Sequence, residues 1–440
     1  MANAELTPEY ALALGRAAAR VLGGTSFLVG RDTRISGPLL QAALVSGLAA
    51  EGARVVDIGV LPTPALAALA ADRDIPAAMI SASHNPFPDN GIKLFAPGGR
   101  KLSDALESRL EAELVRLTTG LVGGVPELRT GAAVGTLHTD ATAAGWYAER
   151  LAARLEGRRL DGVRLVLDCA NGAASGVAPG VFQGLGASTE VLFAEPNGTN
   201  INDGCGSTHP DTLQARVRAS GADLGLALDG DADRVIAVDH RGRVVDGDAI
   251  IALFAADRRD QGRLVGDTVV VTVMSNLGFR QAMHTQGIGV HETAVGDRYV
   301  LEALEANGWT LGGEQSGHIV FWDLATTGDG ILTGLLLVDL VLRAGRPLAE
   351  LADAAMTRLP QVLRSVRVAD RDGLAGPAGD PVRSEVDRVA RELGDRGRVL
   401  LRPSGTEPLI RVMAEAPTEA EAEAVVDRLC RAVAAALGPG

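Results

Sequence analysis

Short apolar runs alternate with helical patterns along most of the chain. The runs that read as buried strands are Phe27 to Gly30, Val55 to Ile58, Ala77 to Ile80, Leu165 to Leu167, Val191 to Phe193, Leu224 to Leu228 and Val269 to Val273. Buried strands that alternate with helices are typical of parallel or mixed sheets with helices packed on their faces. The pattern therefore predicts a repeated α/β architecture.

Helix signals stand near both ends of the chain. Thr7 followed by Pro8 predicts an N-cap and a first helical residue, for a helix that runs to about Val21. Beyond Leu359-Pro360 the pattern changes to two or three strands, followed by a helix from about Thr418 to Leu437. The C-terminal part is therefore expected to be a smaller α+β unit.

The length of 440 residues exceeds what one hydrophobic core usually supports. Changes of pattern place boundaries near residues 140, 245 and 355. We therefore predict domains over 1–140, 141–245, 246–355 and 356–440.

Charge restricts the kinds of partner. With 42 Lys and Arg against 55 Asp and Glu, the net charge is −13, which argues against a nucleic-acid surface. Arginines nevertheless cluster around the polar motifs described below, and could hold an anion locally; they are Arg31, Arg34, Arg234, Arg402 and Arg411.

Targeting signals are not evident in the sequence. The three cysteines, Cys169, Cys205 and Cys430, have no metal-type spacing and read as reduced thiols. The apolar run Ile331 to Leu342 is too short to span a membrane and contains Asp339. We expect a cytoplasmic protein with neither membrane nor nucleic-acid partners.

Residues 81 to 91 form a nearly unbroken string of turn formers directly after the strand-like run Ala77 to Ile80. Ser83 would lie at the tip of this loop with His84 beside it, and a serine in that position can carry a phosphoryl group. An ordinary surface turn is the competing interpretation of this motif taken alone.

Three carboxylates alternate with small residues at Asp229, Asp231 and Asp233, directly after another apolar run. This spacing converges oxygens on one hard cation, and a calcium loop of the EF-hand type is excluded because Arg234 and His240 stand where Gly and Glu are required. Mg²⁺ completed by phosphate oxygens fits best, against a solvated acidic turn as the alternative.

Two later motifs are suited to a sugar phosphate. Gly312 to His318 combines glycines with Glu, Ser and His, which suit sugar hydroxyls. Arg402 to Pro408 combines Arg, Ser and Thr with free amides, as a phosphate-binding loop does. Each alone is weak evidence, because polar residues in a turn are ordinary loop chemistry.

In this order, the four motifs resemble those of the α-D-phosphohexomutase family. They are Ser83-His84-Asn85-Pro86, Asp229-Gly230-Asp231-Ala232-Asp233-Arg234, Gly313-Glu314-Gln315-Ser316-Gly317-His318 and Arg402-Pro403-Ser404-Gly405-Thr406-Glu407-Pro408. The likeness extends from about Leu6 into the C-terminal region. It implies three similar α/β domains with mixed sheets plus a smaller C-terminal α+β domain around a central cleft. These would be, in chain order, a phosphoserine, a metal-binding, a sugar-binding and a phosphate-binding domain.

The resemblance also assigns roles to residues. It implies a catalytic set of Ser83, His84, Lys93 and Arg234, with Lys93 as general acid/base, and one Mg²⁺ per subunit on Ser83, Asp229, Asp231 and Asp233. Arg31 and Arg34 would support the phosphoserine. Substrate would be bound by Glu314, Ser316, His318, Arg402, Ser404, Gly405, Thr406 and Arg411. Lys101, the only other lysine, has no motif around it and reads as a chance surface residue.

The implied reaction transfers a phosphoryl group within a hexosamine phosphate, through a phosphoserine enzyme and a sugar bisphosphate. Gln315 and the segment Cys205 to His209 resemble the members that interconvert glucosamine 6-phosphate and glucosamine 1-phosphate for UDP-N-acetylglucosamine synthesis. Mannose or glucose phosphates remain alternative substrates. A metal-dependent sugar phosphatase and a non-catalytic sugar-phosphate binder are alternatives of other classes. The oligomeric state stays open between monomer and homodimer.

Family members usually carry a Phe-Gly-Thr-Asp-Gly-x-Arg-Gly segment ahead of the position where this sequence begins. Here Met1-Ala2-Asn3 leads directly to Leu6 and Thr7. The resemblance places the arginine of that segment near the phosphoserine. We therefore expect the form printed here to have impaired activity.

Overall fold

The computed structural model describes residues 1–119, 129–404 and 407–438. The chain forms two compact units. The first contains Met1–Met274 and Ile288–Ala354, and the second contains Ser275–Gly287 and Ala355–Gly440.

The first sheet and its helices come from the N-terminal third. Its elements are α1 (Pro8–Leu22), β1 (Ser26–Arg31), α2 (Gly37–Ala50), β2 (Arg54–Val60), α3 (Thr63–Arg73), β3 (Ala77–Ile80), β4 (Ile92–Ala96), β5 (Arg100–Lys101), α4 (Asp104–Thr119) and β6 (Leu137–Thr139). The strand order is β5-β4-β3-β1-β2-β6. Strand β1 is parallel to β2 and β3, whereas β4 is antiparallel to β3. Helices α1, α2 and α4 bury their apolar faces in one core with the inner side chains of this sheet.

The second sheet has the order β11-β10-β9-β7-β8. Its elements are α5 (Ala143–Ala153), β7 (Arg164–Asp168), α6 (Ala178–Gly184), β8 (Ser188–Leu192), α7 (Asp211–Ser220), β9 (Leu224–Leu228), β10 (Val235–Asp239) and β11 (Val244–Val245). Strand β7 is parallel to β8 and β9, and β10 is antiparallel to β9.

The third sheet has the order β13-β12-β14-β15. This part of the chain contains α8 (Gly247–Asp260), β12 (Thr268–Thr272), α9 (Leu277–Thr285), β13 (Gly289–Thr293), α10 (Asp297–Asn307), β14 (Leu311–Gly313), β15 (Ile319–Phe321), α11 (Gly330–Ala344) and α12 (Leu348–Ala355). Strand β12 is parallel to β13 and β14, and β15 is antiparallel to β14.

The three sheets share one arrangement around the predicted motifs. In each, a parallel strand is followed by an antiparallel partner, at β3 and β4, at β9 and β10, and at β14 and β15. The serine, carboxylate and glycine-rich motifs are the connections between these pairs. Equivalent positions in similar folds therefore carry different chemistry.

The second unit consists of helix α9 and the C-terminal sheet with its helices. Its other elements are β16 (Gln361–Arg367), α13 (Asp380–Leu393), β17 (Arg398–Pro403), β18 (Leu409–Glu415) and α14 (Glu419–Leu437), and the strand order is β16-β18-β17. All its strands pair antiparallel. Helices α13 and α14 bury Val389, Val426 and Leu429 against this sheet.

Most of the predicted elements are confirmed. Thr7 caps α1, where its Oγ1 accepts a hydrogen bond from the amide of Tyr10 at 3.2 Å, and Thr418 caps α14. The apolar runs predicted as strands correspond to β1, β2, β3, β7, β8, β9 and β12, except that Val273 lies one residue beyond the end of β12. Phe193 lies outside β8 with a positive φ of 50°. Helix α13 was not predicted, although Val382, Val386, Val389 and Leu393 recur at the spacing of an amphipathic helix and would have signalled it. In the described part of the chain, no helix is long and apolar enough to cross a membrane.

Glu415 joins α9 to the C-terminal sheet within the second unit. Its side chain is fully buried and accepts hydrogen bonds from Arg398 at 2.7 and 2.9 Å, and from the amide of Leu277 at 2.7 Å. The negative carboxylate thus compensates both a largely buried guanidinium and the N-terminal end of a helix.

We expect Glu415→Ala to lower the free energy of unfolding of this unit by about 3–5 kcal/mol, because it leaves Arg398 without its carboxylate in the interior. Chemical denaturation followed by circular dichroism measures this change. Glu423→Ala, an exposed position on α14, is the control and should change stability by less than about 0.5 kcal/mol. Equal stability of the two variants would contradict the role of Glu415.

Candidate active site

Ser83 lies on the loop between β3 and β4 with a positive φ of 50°. A residue other than glycine holds this conformation only where its surroundings impose it. The Ser83 amide donates to Ser81 Oγ at 3.0 Å, and its own Oγ donates to Asp229 Oδ2 at 2.6 Å. The hydroxyl is therefore aimed at the predicted metal ligands.

Arg34 holds this loop in place. Its guanidinium is buried and donates to the carbonyls of Ser83 at 3.1 Å, Asn85 at 2.8 Å and Asp89 at 3.0 Å, and also to the carbonyl of Pro86. Its Nε donates to Asp32 Oδ2 at 2.8 Å, so each N–H of the planar fork has an acceptor. Arg34 thus supports the serine indirectly, through the loop backbone.

Two other side chains differ in their contact with the loop: Asn202 binds it, whereas Arg31 binds a helix residue. Asn202 Nδ2 donates to the carbonyls of Ser83 at 2.9 Å and Asn85 at 3.0 Å, a contact that the sequence did not reveal. Arg31 donates instead to Gln41 Oε1 at 2.8 Å. Its predicted support of a phosphoserine stays a prediction.

The turn between β9 and β10 brings Asp229, Asp231 and Asp233 together. One carboxylate oxygen of each lies within 4.8 Å of the others, and all three side chains are buried. Asp231 Oδ1 and Asp233 Oδ1 are buried and have no hydrogen-bond partner among the described residues. Convergent carboxylates with orphaned oxygens fit a hard divalent cation.

The carboxylates perturb one another. Burial, and then repulsion from Asp233 and Asp231, raise the pKa of Asp229 well above its usual value. Burial acts the same way on Asp233, but the nearby charge of Lys93 and the contact with His318 lower its pKa overall. A bound cation would relieve the repulsion that raises the pKa of Asp229.

The pKa of Lys93 differs from the expectation. A lysine acting as a base near neutral pH needs a lowered pKa, and burial does push that of Lys93 down. Its Nζ, however, donates to Asp231 Oδ2 at 2.7 Å and Asp233 Oδ2 at 3.2 Å, and these carboxylates raise its pKa overall. Without a metal, the carboxylates therefore favour the ammonium form of Lys93, and its role as general acid/base stays a prediction.

His84 and Arg234 meet beside the serine. Arg234 Nη1 lies 3.1 Å from His84 Nδ1, which in turn lies 3.5 Å from Ser83 Oγ. Burial and the adjacent guanidinium lower the pKa of His84, so the ring is neutral and its Nδ1 accepts from Arg234. Arg234 Nε is buried without a hydrogen-bond partner among the described residues, which leaves donor capacity for an anion.

The glycine-rich motif forms a tight turn between β14 and β15. Glu314 Oε1 accepts from the amide of Gly296 at 3.1 Å, and its Oε2 accepts from Ser316 Oγ at 3.3 Å. Gly317 has a φ of 91°, and an added Cβ would lie 2.2 Å from the carbonyl oxygen of Val235. The glycine therefore lets this turn pack directly against the start of β10.

His318 lies in the interior and is only 1% exposed. This burial does not favour the direct contact with substrate that was predicted for it. Its Nδ1 lies 3.7 Å from Asp233 Oδ1, and its Nε2 accepts from the amide of Gly328 at 3.2 Å. Because Nε2 accepts this hydrogen bond, it carries no hydrogen. The neutral ring therefore has its hydrogen on Nδ1, which faces Asp233. His318 thus orients a predicted metal ligand.

The interpretation of Lys101 as a chance surface residue is wrong. Its Nζ forms an ion pair with Asp297 Oδ2, and that oxygen lies 3.6 Å from His318 Nε2. The ion pair of Lys101 and Asp297 therefore lies beside the His318 ring, whose other side faces Asp233. No local motif signals it, because Lys101 and Asp297 are 196 positions apart in sequence.

Other segments of the first unit donate hydrogen bonds to the carboxylate turn. Thr63 Oγ1 donates to Asp231 Oδ2 at 2.5 Å, which the sequence did not reveal. The amide of Ala173 donates to the carbonyl of Gly230 at 2.8 Å, and that of Ser207 to the carbonyl of Leu228 at 2.9 Å. The segment Cys205 to His209, which supported the amino-sugar reading, therefore has a structural role here.

In the second unit, Arg402 and Arg411 lie directly opposite each other on β17 and β18. Burial and the charge of Arg411 lower the pKa of Arg402, whose Nε is buried without a hydrogen-bond partner among the described residues. Ser404 is buried, and its carbonyl accepts from Arg371 at 2.8 Å. Gly405 and Thr406 lie outside the described residues.

Models of one known protein family match most of the chain. Models of the phosphoglucomutase/phosphomannomutase family match residues 1–119 with alpha/beta/alpha domain I, 146–242 with domain II, 246–359 with domain III and 355–432 with the C-terminal domain. The chain belongs to this family, and its fold is the four-domain one that the motifs implied.

Among individual relatives, a phosphoglucosamine mutase of Salinispora tropica is 54% identical over 98% of this chain and 96% of its own length. A phosphoglucomutase/phosphomannomutase family protein of Burkholderia thailandensis, solved by crystallography, is 26% identical with a TM-score of 0.80, over 99% of this chain and 95% of its own.

A more distant solved structure shows the same fold. It is the N-acetylphosphoglucosamine mutase of Aspergillus fumigatus in complex with GlcNAc-6P and magnesium, which is 23% identical with a TM-score of 0.65. The match covers 93% of this chain and 83% of that one.

The contacts of Arg34 predict a sharp difference between two neighbouring arginines. Arg34→Lys cannot reproduce the planar fork, so we expect it to lower the free energy of unfolding by about 2–3 kcal/mol. Arg31→Lys, whose side chain donates one hydrogen bond among the described residues, to Gln41, should cost less than about 1 kcal/mol. Chemical denaturation of both variants measures the difference, and equal costs would contradict the bracing role.

Proposed function

We propose that the protein interconverts glucosamine 6-phosphate and glucosamine 1-phosphate, through a phosphoserine enzyme and a bisphosphate intermediate, for UDP-N-acetylglucosamine synthesis. The 54% identity to a phosphoglucosamine mutase over nearly the whole chain supports this substrate. The observation that carries the chemistry is the 2.6 Å hydrogen bond from Ser83 Oγ to Asp229, which sets a nucleophile beside a cation site.

In this proposal phospho-Ser83 donates its phosphoryl group to the free hydroxyl of the sugar phosphate. The P–O bond to Ser83 breaks as the new bond to the sugar oxygen forms, and the bisphosphate then returns its other phosphate to the serine. Arg34 and Asn202 keep Ser83 in its strained conformation during both transfers. A fixed serine is needed because both transfers use the same oxygen.

Lys93 and Arg234 supply the positive charge that the transfer requires. Lys93, protonated beside Asp231 and Asp233, donates its proton to the departing oxygen and regains one from the attacking sugar hydroxyl, so that the proton balance of each transfer closes. Arg234, whose Nε forms no hydrogen bond among the described residues, contacts the transferring phosphoryl group, while neutral His84 fixes its orientation.

One Mg²⁺ per subunit completes the site in this proposal, held by Asp229, Asp231 and Asp233 together with the Ser83 oxygen. The orphaned oxygens of Asp231 and Asp233 support this assignment. When bound, the ion offsets negative charge on the transferring group. His318 positions Asp233 for that purpose.

Substrate recognition is divided between two motifs. Glu314 and Ser316, adjacent on the turn after β14, accept and donate hydrogen bonds to sugar hydroxyls. In the second unit, Arg402, Arg411 and Ser404, with Gly405 and Thr406, hold the phosphate that is not reacting. The facing arginines support an anion site there, because two guanidiniums side by side repel without one.

The assay that tests the function offers glucosamine 6-phosphate, glucose 6-phosphate and mannose 6-phosphate in parallel to Ser83-phosphorylated protein with Mg²⁺. We expect the amino sugar to be preferred, and Ser83→Ala to reduce turnover by roughly 10⁴-fold or more because the nucleophile is lost. Ser46→Ala, an exposed helical position, is the control.

The outcomes separate the alternatives. Release of inorganic phosphate from the phosphoenzyme without isomerisation would identify a phosphatase. Preference for mannose or glucose phosphate would place the chain with the other members of the family. Full activity of Ser83→Ala would exclude the phosphoserine mechanism.

The repulsion among the carboxylates predicts opposite effects of one substitution with and without metal. Asp229→Asn should raise Tm in EDTA, because a charge is removed from the cluster, and should diminish the stabilisation by Mg²⁺. In the wild type that stabilisation is about 2.7 kcal/mol at 100 times the Kd. Differential scanning calorimetry measures both changes, with the exposed Asp260→Asn as control.

The pH dependence follows from the direction of the shift. Because the pKa of Asp229 is raised in the metal-free protein, protons compete with the cation there. The Mg²⁺-induced rise in Tm should therefore shrink as the pH falls. An Asp229→Asn variant that keeps the full Mg²⁺ response would contradict the assignment of this residue as a ligand.

A further inference from the structure

A cavity of about 220 Å³ lies in the first unit, apart from Ser83 and the carboxylate turn. Its walls come from α3, the C-terminal end of α5, and the turn of residues 322–327 that follows β15. Arg150, Arg154, Tyr147 and Trp322 are among the lining residues. Nothing in the proposed reaction uses this space.

Two arginines of the wall form no ion pair at contact distance among the described residues. Arg150 and Arg154 lie one helical turn apart, and neither has a carboxylate within 4 Å among the described residues. Arg154 donates to the carbonyl of Leu324 at 3.1 Å, and Arg150 lies over the ring of Trp146 at 5.5 Å. By contrast, the next two arginines, Arg158 and Arg159, each pair with a carboxylate at 2.8 Å.

The carboxylates that face the cavity are already compensated. Asp323 forms an ion pair with Arg258 at 2.7 Å. Asp329 is buried at the N-terminus of α11, where it accepts from Tyr147 Oη at 2.8 Å and from the amide of Leu332 at 2.9 Å. The wall itself carries two arginines and two carboxylates, and with Arg258 the group has three arginines against two carboxylates, a positive balance although the whole chain is acidic.

Backbone donors are available in the same wall. The amides of Thr326 and Thr327 have no acceptor among the described residues, although both residues line the cavity. Two guanidiniums and two free amides are donors of the kind that oxyanion sites use. The volume is below that of most sites for drug-sized ligands, which points to a small anion.

We propose that this cavity binds a phosphate oxyanion, either inorganic phosphate or the phosphate of a small phosphomonoester, through Arg150 and Arg154. Two guanidiniums match the two negative charges of such a group at neutral pH, and their forks match its oxygens. The proposal does not rest on the mutase reaction, because binding here requires neither Ser83 nor a metal.

The site also lies close to the catalytic machinery in sequence and space. Gly328, directly after Thr327, donates its amide to His318 Nε2 at 3.2 Å, and Thr326 Oγ1 donates to the carbonyl of Gly99 at 2.8 Å. An added Cβ at Gly328 would lie 2.6 Å from the His318 ring. The turn that would bind the oxyanion thus continues directly into the contact that orients His318.

Equilibrium dialysis of the full chain against radiolabelled inorganic phosphate in EDTA tests the proposal. Arg402→Gln/Arg411→Gln is used as background, so that the predicted phosphate loop does not contribute. We expect that background to keep one phosphate site per chain, and the additional changes Arg150→Gln/Arg154→Gln to weaken it by at least about tenfold. Arg159→Gln, which removes an exposed, already paired arginine, is the matched control and should leave binding unchanged.

Arg150→Lys/Arg154→Lys provides a second variant that keeps the charges and loses only the forks. It should bind phosphate more weakly than the background and more tightly than the glutamine variant. Competition with glucosamine 6-phosphate identifies the source: displacement of the label means that phosphomonoesters enter, and persistence of the label means a site for inorganic phosphate. Phosphate binding that is equal in the background, glutamine and lysine variants would overturn the proposal.

Discussion

The burial of three carboxylates in one turn is the constraint around which the first unit is organised. Asp229, Asp231 and Asp233 lie where water cannot screen them, so their mutual repulsion must be met by fixed positive charges. Lys93 and Arg234 supply these charges, and His318 Nδ1 lies 3.7 Å from Asp233 Oδ1. The turn is stable only because cationic and donor groups from all three sheets surround it.

The same constraint explains why the serine loop needs so rigid a support. Ser83 donates to Asp229, and its backbone conformation is unfavourable for a residue with a side chain. Arg34 and Asn202 compensate for this cost by binding the loop carbonyls from two different sheets. Strain at a nucleophile is tolerated where neighbouring structure determines it completely, and this loop meets that condition.

Local sequence predicted the parts of the site that each sheet contributes alone. The serine, carboxylate and glycine-rich motifs are each continuous in sequence, and turn formers next to apolar runs place them at strand ends. The relations between the motifs were not predictable. Lys93 and Asp231 are 138 positions apart, so the direction of the pKa shift of Lys93 depends on packing between sheets that no local pattern encodes.

The positions of the two lysines in the fold explain why they differ from the many arginines of this chain. The other 40 of the 42 Lys and Arg residues are arginines, yet both lysines lie beside the site. Lys93 on β4 binds Asp231 and Asp233 directly, and Lys101 on β5 pairs with Asp297 next to the His318 ring. An ammonium concentrates its charge on one atom, whereas a guanidinium spreads it over a planar fork. In a crowded set of buried carboxylates the compact charge fits between oxygens, and where backbone carbonyls must be gathered, as at Arg34, the fork is required.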